Sequence, residues 1–113
     1  MAGLAKTIGN GAATNSFTEI GPYSNCILMI GSNPENGHPI AAMHIQRALN
    51  RGAKLIVVDP IKTEFASRAD VHLQLAPEHN IAVINSLIYV IFEENLVNWD
   101  FVNECTKGVE YVR

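Results

Sequence analysis

Two short, uninterrupted apolar runs, Cys26-Ile27-Leu28-Met29-Ile30 and Leu55-Ile56-Val57-Val58, flank a segment whose apolar residues recur with helical spacing. Each run has strand length and no polar alternation, the pattern of a strand covered on both faces, as in parallel α/β sheets. Parallel neighbours need a crossover, and the intervening segment supplies one. Pro39 opens a helix at its tolerated first turn, Ile40, Ala41, Ile45, Ala48 and Leu49 recur on one side, and Gln46, Arg47, Asn50 and Arg51 lie on the other. Gly52 is placed to cap its C-terminus. The unit is βαβ.

The flanking segments extend this unit. Met1 to Thr7 favours helix, and the small, glycine-punctuated stretch Ile8 to Ser16 suits either a plain loop or a surface where backbone approaches a ligand. Thr63 to Ala69 predicts a short helix or irregular crossover, and Val71-His72-Leu73-Gln74-Leu75 alternates like a half-buried third strand. Asn80 is expected to cap a long helix through Ile81, Ile84, Leu87, Ile88 and Ile91, with Asn95 as its stop. A last short helix near Asn98 to Cys105 carries Trp99, Phe101 and Val102 as packing residues. The expected class is α/β: a three-layer αβα, Rossmann-like partial domain with a small, mainly parallel sheet. Residues 1–113 then form one incomplete domain, because an open three-stranded sheet has two edges that the rest of the chain is too short to cover.

Composition narrows the partners. The sequence is 113 residues long, 48% hydrophobic and 17% charged, which suits one modest globular core and lacks the signature of disorder. A formal net charge of -3 gives no general basis for holding duplex nucleic acid. No apolar run reaches the roughly 18 residues of a membrane span, and Met1-Ala2-Gly3-Leu4-Ala5-Lys6 lacks the order of a secretory signal, so a cytoplasmic protein is expected. Cys26 and Cys105 show no CxxC spacing, and Cys26, opening a strand, is expected to be a small core residue.

In open α/β sheets, ligands gather at the carboxyl ends of strands, and three such ends can be identified: Gly31 to His38, Asp59 to Lys62, and Ala76 to Asn80. Gly31-Ser32-Asn33-Pro34 before a helix suits a phosphate or pyrophosphate, although it is not GxGxxG. Asp59 is where such domains place a carboxylate for ribose or a purine edge, and equally where a solvated acid caps a turn. His38, His44, His72 and His79 lack metal-site spacing; His44 is expected as a hydrogen-bonded histidine at the core edge, His72 on a strand and His79 in a loop. Glu93 and Glu94 point about 100° apart on a helix and cannot act as a catalytic pair. No catalytic and no metal-ligating residue stands out.

Several motifs in one order carry a resemblance: Ala2-Gly3-Leu4-Ala5, Gly9-Asn10-Gly11-Ala12-Ala13-Thr14-Asn15-Ser16, Ile30-Gly31-Ser32-Asn33-Pro34 with His38-Pro39, Arg51 to Pro60, Ala69-Asp70 with His72-Leu73-Gln74-Leu75, and Ile91 to Val97. Together they resemble the catalytic subunit of molybdopterin-dependent formate dehydrogenases across nearly the whole chain. The resemblance implies formate oxidation to carbon dioxide at molybdenum or tungsten held between two molybdopterin guanine dinucleotides. It places cofactor contacts at Gly31, Asn33, Asn36 and Gly37, at Asp59, and at Asn80. Ile61, Ala76 and Glu78 depart from the family, which often has an arginine, a basic residue and a glycine there; Lys62 compensates in part for the lost charge.

The same resemblance puts the 4Fe-4S cysteines and the metal-ligating cysteine or selenocysteine, with its histidine, before the Ala2-Gly3-Leu4-Ala5 segment. The chain is thus expected to be a fragment, inactive alone, whose partners are the pterin dinucleotide, the remainder of the catalytic subunit and electron-transfer subunits. An upstream selenocysteine codon read as a stop, an isolated domain or a split subunit would each explain it. Two alternatives stay open: another molybdopterin oxidoreductase, of nitrate or formylmethanofuran type, and a stand-alone nucleotide-binding or assembly module.

Overall fold

The computed structural model describes residues 15–109. The helix expected over Met1 to Thr7, and most of the glycine-rich stretch after it, lie outside the described residues. Two compact units divide the chain, residues 15–78 and, among the described residues, 79–109.

The first unit contains α1 (Phe17–Tyr23), β1 (Cys26–Ile30), α2 (Pro34–Gly37), α3 (Pro39–Asn50), β2 (Lys54–Val58), α4 (Glu64–Arg68) and β3 (Val71–Leu73). All three strands are parallel in the order β1-β2-β3, with Cys26 opposite Lys54 and Ile56 opposite Val71. Sharing one direction, their carboxyl ends lie on one edge. The α/β class, the parallel sheet and the βαβ unit are therefore as the apolar runs predict.

Local chemistry explains where these elements begin and end. Ser16 and Glu19 form a reciprocal capping box at the start of α1, with the Ser16 N–H donating to Glu19 Oε2 at 2.9 Å. α3 ends as Gly52 predicts: its φ of +94°, with the N–H of Gly52 on Leu49 O and that of Ala53 on Ala48 O, closes a Schellman motif. Thr63 caps α4 by accepting from the Ala66 N–H at 3.2 Å.

Strand alternation puts Ile27, Met29, Leu55 and Val57 on one face. There Met29, Leu55 and Val57 join Ile45 of α3 and Phe65 and Ala66 of α4 in a single core cluster, with Ile20 of α1 packed against it. β2 is central and deeply buried. β1 departs from the expectation of cover on both faces: Leu28 is 49% and Ile30 36% exposed, and Cys26, on the same face, is exposed rather than core. The cause is position, because β1 is an edge strand and α1, α3 and α4 contribute to the core on the opposite face. Ile40, expected on the apolar side of α3, is also exposed.

At the amino edge, Asp70 joins β3 to β2. Its Oδ2 accepts from the Leu55 N–H at 2.9 Å, and its Oδ1 accepts from Lys54 Nζ at 2.7 Å. These contacts hold the Asp70 carboxyl below its ordinary range, first through the Lys54 hydrogen bond and then through the Leu55 N–H, and they raise the Lys54 ammonium.

The second unit contains α5 (Asn80–Glu93) and α6 (Trp99–Cys105). His79, not Asn80, takes the N-cap position of α5, and no side-chain cap bond is made. The stop at Asn95 is as expected: φ of 54°, Asn95 N–H on Phe92 O and Leu96 N–H on Ile91 O at 2.9 Å form a second Schellman motif. Asn98 caps α6 through the Phe101 N–H. The expected packing role holds in part, since Trp99 meets Phe92 at 6.1 Å between ring centroids while Phe101 is exposed. No residue of α5 or α6 is buried. Among the described residues no helix is long and apolar enough to cross a membrane.

Candidate functional site

The β1 and β2 carboxyl ends deliver two turns to one edge of the sheet. The first is tighter than the loop that the sequence suggests, because Pro34 starts a four-residue helix, α2, with Asn33 at its N-cap. Gly31 enters the turn at φ +55°, and its N–H donates to Val58 O at 2.9 Å, closing the β1–β2 ladder. A Cβ built on Gly31 would meet no atom within 4 Å among the described residues beyond its chain neighbours.

The backbone donors of this turn are unequally available. Those of Asn36 and Gly37 both point to Asn33 O, at 3.3 and 3.1 Å, and that of His38 to Pro34 O. Ser32, Asn33 and Glu35 have backbone N–H groups with no protein acceptor among the described residues, and the Asn33 side chain makes no cap bond. Of the four residues placed here by resemblance, Gly31, Asn36 and Gly37 have thus committed their N–H groups. Asn33 keeps both its backbone and its side-chain donors, and Asn36 keeps its side chain. The free Ser32 donor follows from the pairing of its neighbours, which residue type alone does not encode.

The second turn holds Asp59, 8% exposed at the end of β2. Its Oδ1 accepts from the Ile61 N–H at 2.8 Å in an Asx turn, and its Oδ2 has no protein partner among the described residues. One oxygen therefore caps the turn, as the second reading of Asp59 expects, and the other makes no bond to the protein among the described residues.

β3 fastens this turn from the side. His72 Nε2 lies 3.0 Å from Asp59 O, which requires the Nε2–H tautomer as donor, and Gln74 Nε2 donates to Pro60 O at 2.9 Å. The Asp59 N–H closes the clasp on Leu73 O at 3.2 Å. Sequence reasoning placed His72 on a strand without this role; polar residues two apart on a strand are its faint signal. Lys62, a cation on this turn, is exposed, and so is Ile61.

The third strand end passes into the second unit. Glu78 adopts φ 73°, a conformation that costs an L-residue about 1–2 kcal/mol and that glycine adopts freely. Asn80 is the exposed first residue of α5 and belongs to the second unit, whereas the two turns above belong to the first. Among the described residues no cluster of three His, Cys, Asp or Glu could hold a metal ion. His44 is buried as expected, but it makes no hydrogen bond among the described residues.

Chemically, the edge offers free N–H donors suited to phosphate oxygens and a buried carboxylate suited to a donor pair. Neither is a reaction centre.

Comparison with known proteins shows the family. The chain is 42% identical over its full length to the F420-dependent formate dehydrogenase subunit alpha of Methanocaldococcus jannaschii, of which it spans 17%. It is 43% identical to formate dehydrogenase H of Escherichia coli, again along its full length and over 16% of that protein. With the assimilatory nitrate reductase catalytic subunit of Bacillus subtilis, identity falls to 32% over 88% of this chain and 14% of the relative. The chain thus corresponds to about one-sixth of the length of the two formate dehydrogenases. Residues 4–100 match the family described as molybdopterin oxidoreductase, and the chain belongs to that family.

Proposed function

We propose that residues 15–78 form part of the dinucleotide cradle of a molybdopterin guanine dinucleotide, within a formate dehydrogenase catalytic subunit that oxidises formate to carbon dioxide. The observation that carries this reading is Asp59, a nearly buried carboxylate with one oxygen locked in its turn and the other without a protein partner. That oxygen accepts from the N1–H and N2–H₂ donors of guanine, or from ribose hydroxyls. An adenine would oppose it with a ring nitrogen acceptor.

The residues present fit such a group. The N–H groups of Ser32, Asn33 and Glu35 suit diphosphate oxygens, and the open space beside Gly31 lets a ligand approach the backbone. His72 and Gln74 act as positioning residues, holding the Asp59–Pro60 backbone. Asn36 and Gly37 contribute through the turn they close, with the Asn36 side chain free for the cofactor. Asn80 is kept as a contact on its motif match alone.

When bound, the pterin-held molybdenum or tungsten accepts the two electrons of formate oxidation; its ligands, and the 4Fe-4S cluster, belong to other segments of the protein. The remainder of the catalytic subunit and electron-transfer subunits are the partners, in a cytoplasmic enzyme with a Rossmann-like cofactor domain. Formate rather than nitrate is favoured as substrate by the higher identity to the formate dehydrogenases.

Calorimetric titration of the purified chain with GDP and with ADP tests the cradle. Saturable binding of GDP in preference to ADP is expected, with Asp59→Ala weakening it by about tenfold or more. Equal binding of both nucleotides, or full affinity in Asp59→Ala, would remove the support.

A further inference from the structure

We propose that a depression between α1 and α3, at the amino edge of the strands, binds a small molecule bearing a phosphate or carboxylate oxyanion, held by His44, Arg47 and Arg51. The depression measures about 620 Å³, within the size range of small-molecule sites. It lies at the opposite edge of the sheet from the Gly31 and Asp59 turns, because α3 runs back from the β1 carboxyl end to the start of β2. Nothing in the cradle reading requires it.

His44, Arg47 and Arg51 recur at i, i+3 and i+7 along α3 and so share one face, the face that lines this depression opposite Thr18 and Gly21 of α1. Arg51 donates one guanidinium N–H to the Gly21 carbonyl, one of the orphan acceptors at the C-terminus of α1, which fixes the fork and leaves its other donors free. Arg47 makes no hydrogen bond or ion pair among the described residues. Among the described residues no acidic side chain lines the depression, in a chain whose net charge is -3.

His44 supplies the independent observation. The residue is 8% exposed, and its side chain has no hydrogen-bond partner among the described residues. No sealed, unpartnered polar side-chain atom is present among them, so the unpaired ring nitrogen of His44 opens to the depression it lines. An acceptor seated in the depression would take the place of solvent at that nitrogen. An imidazole N–H beside two guanidinium groups, without a competing carboxylate, selects an oxyanion.

The test is NMR of the His44 ring protons in the full chain at fixed pH, titrating sodium phosphate or citrate against sodium chloride of equal ionic strength. Saturable movement with phosphate or citrate is expected, with half-saturation on the order of 1 mM. Arg47, an exposed helix residue, can be changed without disturbing the core: Arg47→Gln is expected to weaken binding about tenfold, Arg47→Lys less, and Arg68→Gln not at all. The proposal fails if phosphate and citrate act no differently from chloride, or if Arg47→Gln and wild type saturate alike. It fails equally if a tetraglutamate peptide saturates the site while neither small anion does. GDP binding at the Asp59 turn is read on separate resonances, so either reading can fail alone.

Discussion

Substituting Gly31 separates two reasons for a glycine at the head of the first turn. Its φ of +55° sits at the centre of the left-handed region, and a Cβ there would touch no atom within 4 Å among the described residues beyond its chain neighbours. The folded-state cost of Gly31→Ala is therefore backbone strain alone, about 1–2 kcal/mol. Loss of glycine's freedom in the unfolded chain returns about 0.4–1 kcal/mol, leaving a net destabilisation of about 1 kcal/mol. With a urea slope of about 1 kcal/mol/M, the midpoint should fall by roughly 1 M for Ala and by less for Asn, which tolerates this conformation. If a ligand occupies the open space beside Gly31, both side chains intrude on it, and GDP affinity should drop by about tenfold in both variants. Urea unfolding followed by circular dichroism, with GDP calorimetry on the same samples, reads both effects. A Gly31→Asn variant that binds GDP as tightly as wild type would show that glycine serves only the turn's dihedral, and the cradle would lose this support.

Two further substitutions test the electrostatics. Glu78→Gly relieves the φ of 73° but restores glycine's unfolded freedom, so the net should be a stabilisation of about 1 kcal/mol, while loss of an acidic charge at the third strand end should raise GDP affinity about two- to threefold at low salt and less at high salt. Calorimetry at two ionic strengths checks it; a gain independent of salt would refute the charge argument. The Lys54–Asp70 pair sets a pH window: Asp70, held below its ordinary 3.8, contributes stability that is present above that value and lost as pH falls through the lowered folded value. Lys54, raised above 10.5, contributes below that value and loses its contribution as pH rises through the raised one. Asp70→Asn keeps an acceptor for the Leu55 N–H and removes the charge, so its stability difference from wild type should shrink toward strong acid and toward strong base. A difference flat across pH in urea midpoints would refute the pairing.

The sequence discloses what is set by period and by single special residues. The unbroken runs at Cys26 and Leu55, Pro39 and Gly52 at the ends of α3, and Asn95 beyond α5 all specify elements through local chemistry, and each is found where that chemistry puts it. What escapes is decided by neighbours. The run from Cys26 to Ile30 does not distinguish a central strand from an edge strand, and Cys26, expected in the core, is exposed. Four residues are too few for helical periodicity, so α2 leaves no periodic signal although Asn33 and Pro34 carry its start signal. At the candidate site, residue types point to an anion, yet which N–H groups remain free depends on pairings with Val58 and Asn33 that no spacing encodes. The unpartnered ring of His44 is equally invisible without the packing of α1 on α3.

The clasp of His72 and Gln74 on the Asp59–Pro60 turn bears on the entropy of recognition. A loop that must be immobilised on meeting its ligand surrenders about 0.5–1.5 kcal/mol for each ordered rotamer-rich side chain. Here His72 of β3, Gln74 just beyond it and the Ile61 N–H fix the turn during folding, so the Asp59 carboxylate is held in one orientation. In the proposed cradle, preorganisation of this kind would let one carboxylate discriminate between purines by geometry, because a rejected base could not swing it toward a compromise.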